Sequence, residues 1–221
     1  MTVNRDRIEK IQLKDILIMP NKNMRIKQSI DTKNNLLDSC LELMQTRSFR
    51  ELKISDICAQ AGVTTGAFYH YFSKKDDIIP ELYLRIDQLF TTFYQKLRGS
   101  CYREKISEYL LRHAKFAEGC GLLSTRNVYY EQLDSKYEFF GDFKRGFAQH
   151  LLELVQAALD EGEFVSEKGA REITTALMSI ERGAVYSWCL TNGALSAKTL
   201  SKKLVGVYLD SLIPVIKEEN S

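Results

Sequence analysis

Residues 54–72 read ISDICAQAGVTTGAFYHYF. Ile54, Ile57, Cys58 and Ala61 recur at helical spacing and make one apolar face. Gly62-Val63 interrupts that helix with a sharp turn, which needs a residue tolerant of positive φ. Thr64 is placed to cap a second helix whose buried side is Phe68 and Phe72. Two short helices joined by a tight glycine turn make a helix-turn-helix, a shape that bundle hairpins share with DNA readers. In the DNA readers, the second helix lies in the major groove with its N-terminal residues at the base edges.

The surrounding residues narrow the choice. Leu36, Leu37, Cys40, Leu41 and Met44 form the apolar face of a preceding helix, and Phe49 follows it. Asp56-Ile57, Ala61-Gly62-Val63, Gly66, Phe68-Tyr69, Phe72 and Lys75-Asp76 complete the pattern. Over residues 33–78 the chain resembles, without a gap, the DNA-binding domain of the TetR (tetracycline-repressor) family of bacterial regulators. There are departures. Ser48 stands where that family usually has Gly, Tyr71 where it usually has His, and Lys53 where it often has a capping Thr. Lysine cannot cap a helix, so Ser55 is the candidate cap and the helix is expected to start slightly later.

The resemblance implies an all-α fold of about nine helices, with a three-helix head and a helical body for ligand binding and dimerisation. The expected divisions are an N-terminal extension at 1–30, a head at 31–78 and a body at 79–221. The implied function is a dimeric, sequence-specific transcriptional regulator, most simply a repressor released from operator DNA by a small molecule. The DNA-contacting candidates are Lys33, Lys53, Thr64, Thr65, Gly66, Tyr69, His70 and Lys75. Thr64 is either a pure cap or also a groove contact, and His70 faces either DNA or solvent. Tyr69 lies opposite Phe68 and Phe72, so its hydroxyl is available to a phosphate. Ser73 and Asp76 are spaced as a capping box, which would set Lys75 on a first helical turn that favours phosphate.

Composition constrains the rest. Net charge is only +2, but residues 1–75 hold 13 Lys/Arg against 8 Asp/Glu while the remainder holds 18 against 21. A basic head on a weakly acidic body suits that function. The five cysteines, at 40, 58, 101, 120 and 189, include no CxxC pair, so neither zinc nor any other metal site is expected. Cys101 and Cys120 are candidates for a redox switch. No run approaches the ~18–20 apolar residues of a membrane span, and the start lacks a secretory signal, so a cytoplasmic location is expected. The three histidines, at 70, 113 and 150, accompany no catalytic motif; neither an enzyme nor a cofactor is expected.

Periodicity places further helices at about 32–47, 73–97, 103–118, 122–134, 137–161, 167–192 and 196–217. Ser166 is the expected cap of the eighth, and Pro214 is expected to kink the last. Residues 1–30 carry seven Lys/Arg without a clear period. They are a mobile tail, an over-called start with Met24 as the true initiator, or a basic arm beside the recognition helix. The resemblance implies a ligand pocket in the body, for which Phe90, Tyr94, His113, Phe116, Tyr130, Phe143, Phe147, Met178 and Trp188 are candidates. His113 reads more readily as a satisfied core histidine than as a ligand contact, and Glu181 and Arg182 read as pocket, interface, surface or intrahelix groups. The last two helices are expected to pair subunits through Ile180, Ala184, Leu200, Leu204, Val207 and Ser211. The competing reading is a DNA-binding protein without an effector.

Overall fold

The computed structural model describes residues 24–134 and 139–213. Among them are nine α-helices and no strand: α1 Met24–Met44, α2 Ile54–Ala61, α3 Thr65–Tyr71, α4 Ile78–Gln95, α5 Tyr102–Cys120, α6 Leu122–Asp134, α7 Gly146–Asp160, α8 Ala170–Leu190 and α9 Ala197–Asp210. Part of the extension expected at residues 1–30 is helical: α1 begins at Met24, not near 32, so residues 24–30 belong to the head's first helix. The rest of that expected arm, residues 1–23, the onset of the seventh helix near 137 and the kink at Pro214 lie outside the described residues.

The head is built from α1–α3. Gly62 takes φ +67° and closes α2, with Val63 N–H donating to Cys58 O at 2.9 Å and Gly62 N–H to Ala59 O at 3.3 Å. Thr64 Oγ1 accepts from Ala67 N–H at 3.2 Å and so caps α3. Phe68 and Phe72 are buried, as their spacing required. Helix α2 does not start late at Ser55. It begins at Ile54, because the Asp56 carboxylate accepts Lys53 N–H at 3.0 Å and the Arg47 guanidinium at 2.6 Å. The backbone bond, then Arg47, hold the Asp56 carboxyl below its ordinary range. Its stabilising effect is therefore present at neutral pH and is lost as pH falls through that lowered value. The capping box before α4 also differs from expectation. Asp77, not Asp76, receives the N–H groups of Ser73 (2.9 Å) and Lys74 (3.1 Å), and a 3-10 turn at Lys75–Asp77 precedes the helix.

The chain between α1 and α2 turns twice and strands several backbone groups. Two side chains from elsewhere satisfy them. Lys75 Nζ donates to the carbonyls of Phe49 (2.7 Å), Arg50 (3.2 Å) and Leu52 (3.0 Å), over the Phe49 ring at 4.6 Å. Asn127, buried on α6, donates to Met44 O and Arg47 O, both at 3.0 Å, and accepts Phe49 N–H at 3.1 Å. Arg50 adds an ion pair to Asp134 at 2.9 Å. The head's apolar core continues past residue 78 into Ile79, Leu82 and Tyr83 of α4.

The body packs α5, α7, α8 and α9 against one another, and the second half of α4 joins that core along α7. Helix α7 starts only at Gly146 because the chain before it is pinned. Arg145 makes a bidentate pair with the nearly buried Asp87 of α4, both bonds 2.9 Å, and Phe139 stacks on Tyr83 at 4.2 Å. Helix α8 starts at Ala170 rather than near 167, since Ser166 spends its hydroxyl on Lys168 N–H at 3.0 Å in a turn. Ser196 caps α9 by accepting Thr199 N–H at 3.2 Å.

The Asn127 bonds should be measurable. Asn127→Ala leaves three backbone groups of residues 44–49 without partners, and is expected to lower unfolding free energy by about 2 kcal/mol. Urea denaturation followed by circular dichroism checks this; an unchanged midpoint would mean the head does not depend on α6.

Candidate functional site

One side of α3 is locked and the other is open. Phe68 is fully buried, whereas Thr64, Thr65, Gly66, Tyr69 and His70 are exposed. Tyr69 is 58% exposed, with its ring edge-on to Phe68. His70 stands edge-on to Tyr71, and Tyr71 packs half-buried on the head core. A Cβ added at Gly66 would meet only Thr64 Oγ1 at 3.7 Å, so the fold itself does not require glycine there. Lys53 is exposed at the start of α2.

Two of the lysines expected at phosphates are committed elsewhere. Lys75 uses its three donor hydrogens on the carbonyls of the α1–α2 connection, so in this structure it clamps that connection and has no donor turned outward. Lys33 pairs with Glu81 at 2.8 Å and lies 5.9 Å from the Phe72 ring centre, joining α1 to α4. The sequence pattern cannot distinguish a lysine that reaches outward from one that folds back, because carbonyls and phosphates both attract an ammonium.

Behind the head lies a cavity of ≈ 100 Å³, enclosed by α1, α4, α5, α6, α8 and the segment before α7. Its walls are mostly apolar, with Leu41 and Met44 from the head and Ile86, Phe116, Val128 and Phe140 from the body. Of the residues expected to line a pocket, His113, Phe116 and Phe147 do so. Phe90 and Met178 are buried in the core instead. Trp188 packs with Ala114, Ala117 and Val185. Tyr94 donates to Glu153 at 2.8 Å, and Phe143 lies under the Arg171 guanidinium at 4.0 Å. Tyr130 is 62% exposed, because α6 turns its neighbour Tyr129 inward.

His113 Nδ1 lies 2.8 Å from the fully buried Glu181, which is the satisfied-histidine alternative. Cys120 lines the cavity, and burial pushes its thiol up to about 12, so the thiolate that a redox switch requires is suppressed. Sequence reasoning missed Tyr83, Ser124 and Asn127. The available signal was the run Ser124-Thr125-Arg126-Asn127, polar where a helix should show an apolar stripe.

The far end of the body exposes α8 and α9. Ile180, Gly183, Ser187, Leu204, Val207, Tyr208 and Ser211 line a shallow open groove. Val207 is 65% exposed, which excludes it from the subunit's own core. Leu200 is half-buried near the start of α9. Ala184, expected at the interface, is fully buried inside the body instead.

Residues 36–82 match the family model for bacterial regulatory proteins of the tetR family. That segment of the chain is similar to the regulators of the tetR family. A curated relative is the HTH-type transcriptional repressor KstR2 of Rhodococcus jostii, 21% identical over 81% of this chain and 90% of that protein. Among solved structures, the Thermus thermophilus FadR repressor in complex with lauroyl-CoA superposes with TM-score 0.66 at 14% identity, covering 86% of this chain and 99% of that one. SmeT, the repressor of the Stenotrophomonas maltophilia multidrug efflux pump SmeDEF, superposes with TM-score 0.64 at 14% identity, covering 83% and 93%. These likenesses establish the shared fold. No helix among the described residues is long and apolar enough to cross a membrane.

The head makes a specific demand of Lys75. Lys75→Met should cost about 1–3 kcal/mol of folding stability, since three carbonyls lose a charged donor. The slope of log binding constant against log salt should stay unchanged for operator DNA. A slope reduced by about one unit would restore the phosphate contact.

Proposed function

We propose that the chain is a dimeric repressor that reads operator DNA through α3 and is released when a small molecule fills the cavity behind the head. The observation that carries the first part is the exposed row from Thr64 to His70 on a helix whose other side is fixed by Phe68. Thr65 and Gly66 meet base edges, and the bare Gly66 lets the backbone approach closely. Tyr69 and Lys53 meet phosphates. Thr64 caps and, with His70, flanks the contact.

Release is supported by the two sides of α6. One side carries Asn127 and Asp134 into the head, and the other carries Ser124, Thr125, Val128 and Tyr129 into the cavity. A ligand that prefers one placement of α6 therefore biases the placement of the head, by no more than its difference in affinity for the two. The fatty-acyl ligand named for the FadR neighbour is not carried over, because at 14% identity the fold alone is shared.

Pairing is assigned to the exposed face of α8 and α9. Such a dimer should protect two related half-sites whose centres lie roughly 34–36 Å apart, or a multiple of that, in a footprinting experiment. Val207→Glu should give a folded, helical monomer by analytical ultracentrifugation and circular dichroism, because an unpaired carboxylate buried in the interface costs several kcal/mol. The monomer should lose specific operator protection. A variant that stays dimeric with full affinity would refute this interface, and a single asymmetric wild-type footprint would refute the binding mode.

A further inference from the structure

The basic groups that line the cavity are not equally matched. Arg85 pairs with Asp38 at 2.8 Å, Arg145 with Asp87 at 2.9 Å and His113 with Glu181 at 2.8 Å. Arg182 is the exception among the described residues, with no carboxylate oxygen within ion-pairing distance. Its guanidinium makes a weak contact to Met178 Sδ at 3.6 Å and lies over the Phe140 ring at 4.8 Å. Tyr129 bonds only the backbone of Arg182, donating to its carbonyl at 2.9 Å. A guanidinium keeps its proton in proteins, so this wall holds a partly desolvated positive charge with no counter-charge in hydrogen-bonding reach among the described residues.

Next to it is an unused hydroxyl. Tyr83 is 6% exposed, lines the same cavity and has no partner for its Oη. Its ring is 6.3 Å from that of Phe140, the ring under Arg182. Burial pushes the phenol above its ordinary range, which keeps it a neutral donor. Ser124, 4% exposed on the α6 wall, has a second unpartnered hydroxyl. Leaving buried donors unpaired is costly, and the cost is removed when an acceptor arrives.

We propose that the cavity is an anion site for a compact, largely apolar carboxylic acid, whose carboxylate is held by Arg182 and the Tyr83 hydroxyl while Ser124 takes at most one further polar group. The assignment rests on the ligand-responsive reading and names its ligand class. The apolar walls accept the body of the molecule and the guanidinium selects the sign of its head. A matching amine would place a second positive charge against Arg182. A matching alcohol would leave that charge unanswered.

Matched probes test this on the full chain: 3-phenylpropanoate, 3-phenylpropan-1-ol and 3-phenylpropylamine, followed by thermal shift and isothermal titration calorimetry. The carboxylate should bind saturably and raise the melting temperature, and the alcohol and amine should not. Arg182→Met should weaken carboxylate binding by roughly tenfold or more, and Tyr83→Phe by less, with circular dichroism unchanged in both. Carboxylate affinity unaffected by Arg182→Met, equal binding of the alcohol or amine, or no binding by any probe at millimolar concentration would overturn the anion site. None of those outcomes touches DNA recognition, which is read separately from the ligand-free operator footprint. Loss of that footprint would refute the regulator reading and leave the calorimetric result standing.

Discussion

Six main-chain groups between Met44 and Leu52 are bonded by side chains from distant parts of the sequence, and only one of them, the Phe49 carbonyl, also has a backbone partner nearby, so the head depends on those side chains. Lys75 takes three carbonyls, and Asn127 takes two carbonyls and an N–H. A connection of this kind would otherwise leave buried polar groups open, each costing as much as a lost hydrogen bond. The solution fixes two relationships at once. The turn before α4 is tied by Lys75 to the connection before α2, and α6 is tied by Asn127 to that same connection. The recognition helix therefore inherits its orientation from side chains outside the helix-turn-helix itself.

That arrangement also explains how a cavity in the body can matter to a surface on the head. Helix α6 is bonded to the head on one side and forms a cavity wall on the other, with little apolar stripe of its own to hold it in place. Its buried residues are Ser124, Thr125 and Asn127. An element anchored by polar contacts has few ways to shift by small amounts, because hydrogen bonds are lost over short distances. It is better suited to two discrete placements than to a continuum.

Much of the fold was readable from residue pattern. The Gly62 turn, the Thr64 cap, the buried Phe68 and Phe72 and the bounds of α6 follow from local chemistry alone, and the structure has them where the sequence puts them. The failures share a cause. Lys75 and Lys33 were read as reaching outward, whereas carbonyls 23–26 residues away and Glu81 hold them back. Helix α7 was expected early because Phe140 and Phe143 fit its period, but Asp87 on another helix pins Arg145 and delays it. Capping passed to Asp56 and Asp77 for the same reason that Ser55 and Ser73 looked suitable: carboxylates and hydroxyls compete for the same N–H groups. Most of the cavity list failed because apolar periodicity identifies which face is buried, not whether that face meets another side chain or an empty space.

The exposed groove of α8 and α9 has a consequence for dosage. On the proposed pairing, a protomer that covers Leu204 and Val207 with a second copy forms its DNA-binding species in proportion to the square of its own concentration, while protomers are in excess. Below the dimer dissociation constant, halving synthesis quarters the active form and also removes the stability that association lends to each fold. Occupancy of the operator then changes more steeply with expression than a monomeric binder of equal affinity allows. A regulator built this way switches partly by how much of it the cell makes.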